Sequence, residues 1–233
     1  MSARTFPRLA PRRSGGRSSW WGRAWQRTVE ESTYADADLT AGRRAARAGR
    51  VGAIGLSDGR CVAAVESGDD ALTAQVLVRA FDAGEQETLL AAVESEAGRI
   101  ADLLAGQLPD GLVEHAEESG IDLVPGSGDV SYSCSCEPWA DPCQHAVALA
   151  TQVGWLLDEE PLLLLALRGF SRTELLDRLD ERRSAAARTA TGSAAGSGDD
   201  DGPQADPDPD EIDDLAVAQD AALRAERLLQ EWG

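Results

Sequence analysis

The chain has 233 residues, of which 42% are hydrophobic but only 5% aromatic, so a core can form but must be built mainly from Ala, Val and Leu. Its 22 basic residues, all arginine, stand against 41 acidic ones and give a net charge of -19. This balance excludes a protein that coats nucleic acid over its whole surface, so any nucleic-acid contact must be local.

The N-terminal part differs in charge from the rest. Residues 1–50 hold eleven arginines against four acids, and we predict a disordered basic tail over residues 1–18. The segment lacks the apolar stretch of a secretory signal, and the longest apolar run of the chain, Leu162 to Leu167, is too short for a membrane span. We therefore expect a cytoplasmic protein without a membrane association.

Residues 19–128 are predicted to form an α+β region. Valines alternate among turn-forming residues between Val51 and Asp82, which predicts two or three antiparallel strands. Apolar residues then recur at helical spacing from Glu85 to Ala105, which predicts one helix with a single buried stripe. Pro109 begins a shorter helix, which Gly120 is placed to end.

Residues 129–183 are predicted to form a zinc finger with C-terminal helices. Asp129–Ser133 is expected to be a short strand, and Pro142 is placed as the first residue of a helix that runs through Leu157. Pro161 can open the next helix. Ser171 and Glu174 match the capping box that begins a further helix.

The composition changes after Arg183. Residues 184–209 consist mainly of Ala, Gly, Ser, Asp and Pro and are predicted to be a disordered acidic linker. Residues 210–233 have apolar side chains at helical spacing and are predicted to form an amphipathic terminal helix.

Three of the four cysteines and one of the two histidines fall within twelve residues, in the pattern C-x-C-x6-C-x-H. These residues are Cys134, Cys136, Cys143 and His145. Thiolate and imidazole groups are the ligands that zinc prefers at a closed structural site, where protein fills all four positions. We therefore predict a structural zinc ion, held between a strand end and a helix start.

Two alternatives to a metal site are open. The cysteines could be small buried side chains beside a hydrogen-bonded histidine. Cys143 and His145 could instead form a nucleophilic pair, although residues two apart do not face each other on a helix.

The cysteine and histidine pattern resembles the SWIM-type zinc finger, whose ligands follow C-x-C, a variable spacer and C-x-H. All four ligand positions match. Residues 20–25, 42–51 and 161–169 are also similar to segments of actinobacterial SWIM-finger proteins, so the resemblance covers about residues 18–183. It implies a zinc-stabilised ββα finger with a role in DNA binding or protein association, often beside a Swi/Snf-type helicase on a separate polypeptide.

Two groups of residues outside the finger are candidates for contact with nucleic acid. The better phosphate candidates are Arg43, Arg44, Arg47 and Arg50. These four arginines could equally form an exposed basic surface that neutralises the acidic part of the molecule. Three tryptophans between residues 20 and 25 could stack on bases, but in a chain so poor in aromatic residues we favour a packing role for them.

These patterns together predict an α+β protein in which a small antiparallel sheet packs with helices. We expect it to be a non-enzymatic accessory protein, because no paired carboxylates, nucleophile with a base or open metal position can be identified. Its expected partners are DNA, a Swi/Snf-type helicase, or both. The alternative function is a protein–protein adaptor that acts through the acidic linker and the terminal helix without binding nucleic acid.

Overall fold

A computed structural model of the chain describes residues 3–13 and 18–193. Within these ranges the protein is α+β, with a five-stranded antiparallel sheet and eight α-helices, as predicted. The strands are β1 (Arg4–Phe6), β2 (Ile54–Ser57), β3 (Arg60–Ser67), β4 (Asp70–Val78) and β5 (Val130–Cys134). The helices are α1 (Trp20–Ser32), α2 (Asp36–Arg47), α3 (Ala83–Glu94), α4 (Ala97–Leu104), α5 (Asp110–Glu118), α6 (Gln144–Glu159), α7 (Leu163–Leu167) and α8 (Arg172–Ser193).

The sheet is a meander in which each strand pairs with the next along the chain, in the order β1-β2-β3-β4-β5. Alternate residues of the two central strands face the core. The buried ones are Cys61, Ala63, Val65, Ala74, Val76 and Val78. The three strands β2 to β4 confirm the antiparallel strands predicted between residues 51 and 82.

Helix α6 is the central element of the core. Twelve of its sixteen residues are buried, because it is apolar on all sides rather than along one stripe. It packs against the sheet strands β3, β4 and β5 and also against helices α1 and α2. The strand β5 and the helix α6, which form the two sides of the predicted zinc finger, therefore both pack in the main core.

The tryptophans of α1 attach that helix to α6. Trp25 is fully buried, and its indole N–H donates to the carbonyl of Ala150 at 2.8 Å. Trp21 is half-buried and donates to the carbonyl of Leu157 at 3.0 Å, while Trp20 contacts the ring of Trp21 edge to face. The predicted packing role of these residues is confirmed.

The prediction of a disordered tail over residues 1–18 is wrong for residues 3–13, whereas residues 1–2 and 14–17 lie outside the described residues. Arg4–Phe6 form β1, which pairs antiparallel with β2. The following residues pass the C-terminal end of α2, where the backbone N–H of Arg12 donates to the carbonyl of Arg47 at 2.9 Å. Composition could not show this, because a three-residue strand obtains its stability from partners that are distant in sequence.

The single helix predicted from Glu85 to Ala105 is two helices, α3 and α4. The backbone is extended at Glu96, between them. The guanidinium of Arg99 stabilises the corner by donating to the carbonyl of Ala92 at 2.6 Å and to the hydroxyl of Ser95 at 2.8 Å. Apolar spacing alone does not reveal such a corner, because apolar residues continue at helical spacing across it.

Helix α8 continues to Ser193, so the prediction that a disordered linker begins at residue 184 is wrong. The extension contains consecutive alanines at 185–187, and alanine has the highest intrinsic helix propensity. The rest of the predicted linker and the predicted terminal helix at 210–233 lie outside the described residues. Among the helices in the described ranges, none combines the length and the apolar character needed to cross a membrane.

Candidate metal centre

Two of the predicted zinc ligands lie at the end of β5. The strand ends at Cys134, and the backbone N–H of Ser135 donates to the carbonyl of Thr73 on β4 at 3.0 Å. The N–H of Glu137 then donates to the carbonyl of Cys134 at 3.1 Å, and Glu137 has a φ of 48°. This tight reversal brings the thiol of Cys136 back towards that of Cys134.

The other two predicted ligands lie at the start of α6. Cys143 occupies the N-cap position with an extended backbone, and His145 lies in the first helical turn. Both side chains are buried. The expectation that Pro142 is the first helical residue is wrong, because the helix begins at Gln144 and the proline precedes the cap.

The four donor atoms form one cluster in which all lie within 4.8 Å of one another. The Sγ atom of Cys136 is 3.5 Å from that of Cys143, which is 3.7 Å from Nδ1 of His145. A tetrahedral zinc ion, with Zn–S distances of about 2.3 Å and Zn–N distances of about 2.0 Å, requires donor separations of about 3.5–3.8 Å. These two separations match those that zinc requires, and the four donors together form a candidate metal-binding site.

The contact between Cys143 and His145 contradicts the argument that residues two apart do not face each other. That argument holds inside a helix, whereas Cys143 precedes the first helical residue and has a non-helical backbone. Their spacing therefore does not exclude a nucleophilic pair. What favours metal binding is that the thiols of Cys134 and Cys136 complete a set of four convergent donors.

The surroundings disfavour the charged forms of Cys136 and His145. Burial, together with the neighbouring thiols of Cys143 and Cys134, raises the pKa of Cys136 to about 12. Burial also lowers the pKa of His145, although the carboxylate of Asp38 acts in the opposite direction. Neutral imidazole is the form that binds metal, and crowded thiols need a cation to become thiolates. With a divalent ion bound, three thiolates and one imidazole carry a net charge of about -1.

The four candidate arginines lie along α2 and just after it, but they face two different cavities. Arg43 and Arg47 line one of about 290 Å³, beside Trp155 of α6. There Arg43 forms an ion pair with Glu30, so its charge is neutralised within the protein. Arg47 is exposed at the end of the helix.

Arg44 and Arg50 line a second cavity, of about 190 Å³, which also includes His145 of the metal cluster. Both arginines are exposed. Neither forms an ion pair within residues 3–13 and 18–193. The fold thus places two available guanidinium groups beside the candidate metal centre.

Sequence reasoning missed the arginines of the N-terminal segment, which lie at the same end of α2. The Nε–H of Arg8 donates to the carbonyl of Gly49 at 2.7 Å, and its guanidinium pairs with Glu66. Arg12 pairs with Glu159 and stacks on the ring of Trp155. The basic composition of this segment was visible in the sequence, but its position beside α2 was not.

No protein-family model matches the chain, and no solved structure matches it. A protein of Mycobacterium tuberculosis (strain H37Rv) named "Uncharacterized protein Rv2102" is 28% identical over 178 residues. The match covers 76% of this chain and 64% of the relative, so the chain spans slightly less than two thirds of that protein's length. The similarity relates the two sequences without assigning a family or an activity to this chain.

Proposed function

We propose that this protein is a non-enzymatic, SWIM-type accessory factor that holds a structural zinc ion and contacts DNA, a protein partner or both. The convergence of three thiols and one imidazole within 4.8 Å carries the proposal. Because the protein supplies all four donors, a tetrahedral ion has no open position for water or substrate, which favours a structural role. The resemblance to SWIM-finger proteins makes a Swi/Snf-type helicase the expected partner.

The zinc ion would join the end of the sheet to the central helix. Cys134 ends β5 and Cys136 follows it, whereas Cys143 and His145 lie at the start of α6. Since the donors converge only in the folded chain, the free energy of metal binding would stabilise the fold.

Metal content per chain tests the zinc part of the proposal. We expect about one zinc ion per wild-type chain, measured by elemental mass spectrometry on protein purified without chelators, and much less in Cys136→Ser and in His145→Ala. Cys61→Ala is the matched control, because Cys61 is a buried thiol of β3 outside the cluster. Wild-type protein without zinc, or with a disulfide between Cys136 and Cys143, would contradict the proposal.

Reversal of charge tests the DNA part. Arg44 and Arg50 are exposed and available for phosphate, so Arg44→Glu/Arg50→Glu should lower the affinity for a labelled duplex by more than about tenfold. It should also reduce the slope of log affinity against log salt by about two. Arg60→Glu/Arg183→Glu changes the same charge at two other exposed sites and serves as the control. Equal affinity of the Arg44→Glu/Arg50→Glu protein and the wild type would remove DNA from the proposal and leave protein interaction.

A further inference from the structure

Two aromatic side chains beside the metal cluster are left in solvent. Tyr34, between α1 and α2, is 78% exposed, and Trp139, in the loop between Cys136 and Cys143, is 83% exposed. Their ring centroids are 5.4 Å apart and the ring planes meet at 82°. We call these two residues the aromatic pair. Contact between two large apolar side chains of separate segments, both facing water, is typical of an interaction surface rather than of core packing.

The charges next to the aromatic pair are negative. The acids that flank it along the chain are Glu31, Asp36, Glu137 and Asp141. All four are exposed, and none forms an ion pair within the described parts of the chain. The segments that carry the rings, residues 28–42 and 129–167, contain no arginine although the whole chain has 22.

The aromatic pair is separate from the arginines considered for DNA contact. Tyr34 precedes the first residue of α2. Arg43, Arg44 and Arg47 lie in the second half of that helix, and Arg50 lies beyond its end. A helix of this length spans about 18 Å. The acidic, aromatic surface and the basic surface therefore lie towards opposite ends of α2.

We propose that the aromatic pair and its four flanking carboxylates bind an arginine- or lysine-rich segment of a partner protein. Ring faces attract a guanidinium or ammonium group by cation–π interaction, and exposed carboxylates without partners can form charge-assisted hydrogen bonds with it. A phosphate backbone would meet four negative charges here, which disfavours nucleic acid at this surface. The inference deepens the protein-interaction part of the proposed function and rests on it.

The test uses the 233-residue chain, purified without chelators, and a fluorescein-labelled octa-arginine peptide, with binding followed by fluorescence anisotropy. We expect Tyr34→Ala/Trp139→Ala to weaken binding about tenfold. We expect a smaller loss in Glu137→Gln/Asp141→Asn, and near wild-type binding in Trp139→Phe.

Matched controls are needed because a chain of net charge -19 attracts any polycation. Glu117→Gln/Glu118→Gln removes two exposed charges from α5, and Leu104→Ala removes an exposed apolar side chain from α4. Both should bind the peptide as the wild type does. Circular dichroism and zinc content, measured on every variant, show whether each one is folded and loaded.

Three results would overturn the inference. The first is equal peptide affinity of the Tyr34→Ala/Trp139→Ala variant and the wild type. The second is an equal loss in Glu117→Gln/Glu118→Gln and in Glu137→Gln/Asp141→Asn, since binding would then reflect net charge alone. The third is that Tyr34→Ala/Trp139→Ala loses affinity for single-stranded oligothymidine while its peptide binding is unchanged. That result would show that the aromatic pair binds nucleic acid.

The inference and the zinc proposal can fail separately. Wild-type protein that binds the peptide through Trp139 but contains no zinc would support the inference and contradict the zinc proposal. Protein with one zinc ion per chain and no difference between the wild type and the aromatic variant would overturn the inference alone.

Discussion

Arg168 shows how a single charged residue connects distant parts of this fold. Its side chain is only 1% exposed. It donates to the carbonyl of Asp122 at 2.7 Å, to the carbonyl of Arg79 at 3.2 Å and to the carboxylate of Asp129 at 2.9 Å. Asp129 also pairs with the guanidinium of Arg79 at 2.8 Å. These contacts connect the end of α7 to the residue that immediately precedes β5, the strand that carries the first candidate metal ligand.

The pH dependence of stability should report on Asp129. Burial raises its pKa, but the hydrogen bonds from Arg79 and Arg168 outweigh burial and hold the pKa below its ordinary value. A carboxyl group with a lowered pKa in the folded state stabilises the protein above its unfolded pKa of about 3.9, and that contribution is lost as the pH falls through the folded pKa. We therefore expect the free energy of unfolding to decrease below about pH 4.

The variant Asp129→Asn should reduce this acid-dependent loss and should lower stability at pH 7 by about 1–3 kcal/mol, since Arg168 would keep a buried charge without its carboxylate partner. Urea unfolding between pH 2.5 and 7 measures both effects. Asp69→Asn is the control, because Asp69 is exposed and forms no ion pair in the described ranges. Identical pH profiles for the wild type and Asp129→Asn would contradict the prediction.

At the scale of elements, the contact between α2 and α6 depends on a glycine. A Cβ atom added to Gly42 would lie 2.6 Å from the side chain of Val147 and 2.6 Å from the carbonyl of Gln144. The close approach places α2 against the first turn of α6, where His145 lies. The position of this candidate metal ligand is thus coupled to the packing of two helices.

We expect Gly42→Ala to lower the free energy of unfolding by about 1–3 kcal/mol, because overpacking forces the helices apart. This loss should exceed the gain of about 1 kcal/mol that alanine provides within a helix. Denaturant unfolding measures the difference. The control is Gly98→Ala in α4, where an added Cβ meets no atom within 4 Å, and it should be neutral or slightly stabilising. A Gly42→Ala protein as stable as the wild type would show that the two helices do not approach this closely.

At the scale of the whole molecule, the metal cluster connects the last strand of the sheet to the helix at the centre of the core. β5 pairs with β4 alone in the described sheet, so a metal ion held by the cluster would add a link between β5 and α6. We expect chelation of zinc to lower the melting temperature and to increase hydrogen exchange in β5 and in the first turn of α6.

Hydrogen exchange followed by mass spectrometry, with and without a zinc chelator, measures this effect. The β2–β3 hairpin should change less, since it has no ligand residue. The Cys61→Ala protein should respond to the chelator as the wild type does. Unchanged exchange in β5 after complete loss of zinc would show that the metal does not stabilise this region.

The local features of this protein were predictable from its sequence. The spacing of Cys134, Cys136, Cys143 and His145 identified a four-donor cluster because the chemistry of thiols and imidazole depends on residue type, and twelve residues of chain restrict how far they can separate. The strand β5 and the helices α5 and α6 were also predicted, since apolar periodicity and the positions of proline and glycine act over short distances.

Only the tertiary structure decided which distant segments meet. It placed β1 on the sheet, divided the four candidate arginines between two cavities, set Arg8 beside α2 and brought Tyr34 against Trp139. None of these contacts leaves a local periodic pattern in the sequence. Their free energy comes from burial and pairing between residues that are far apart along the chain, and it can override local propensity. The identity of the metal donors was therefore a property of the sequence, whereas the surfaces around them are a property of the fold.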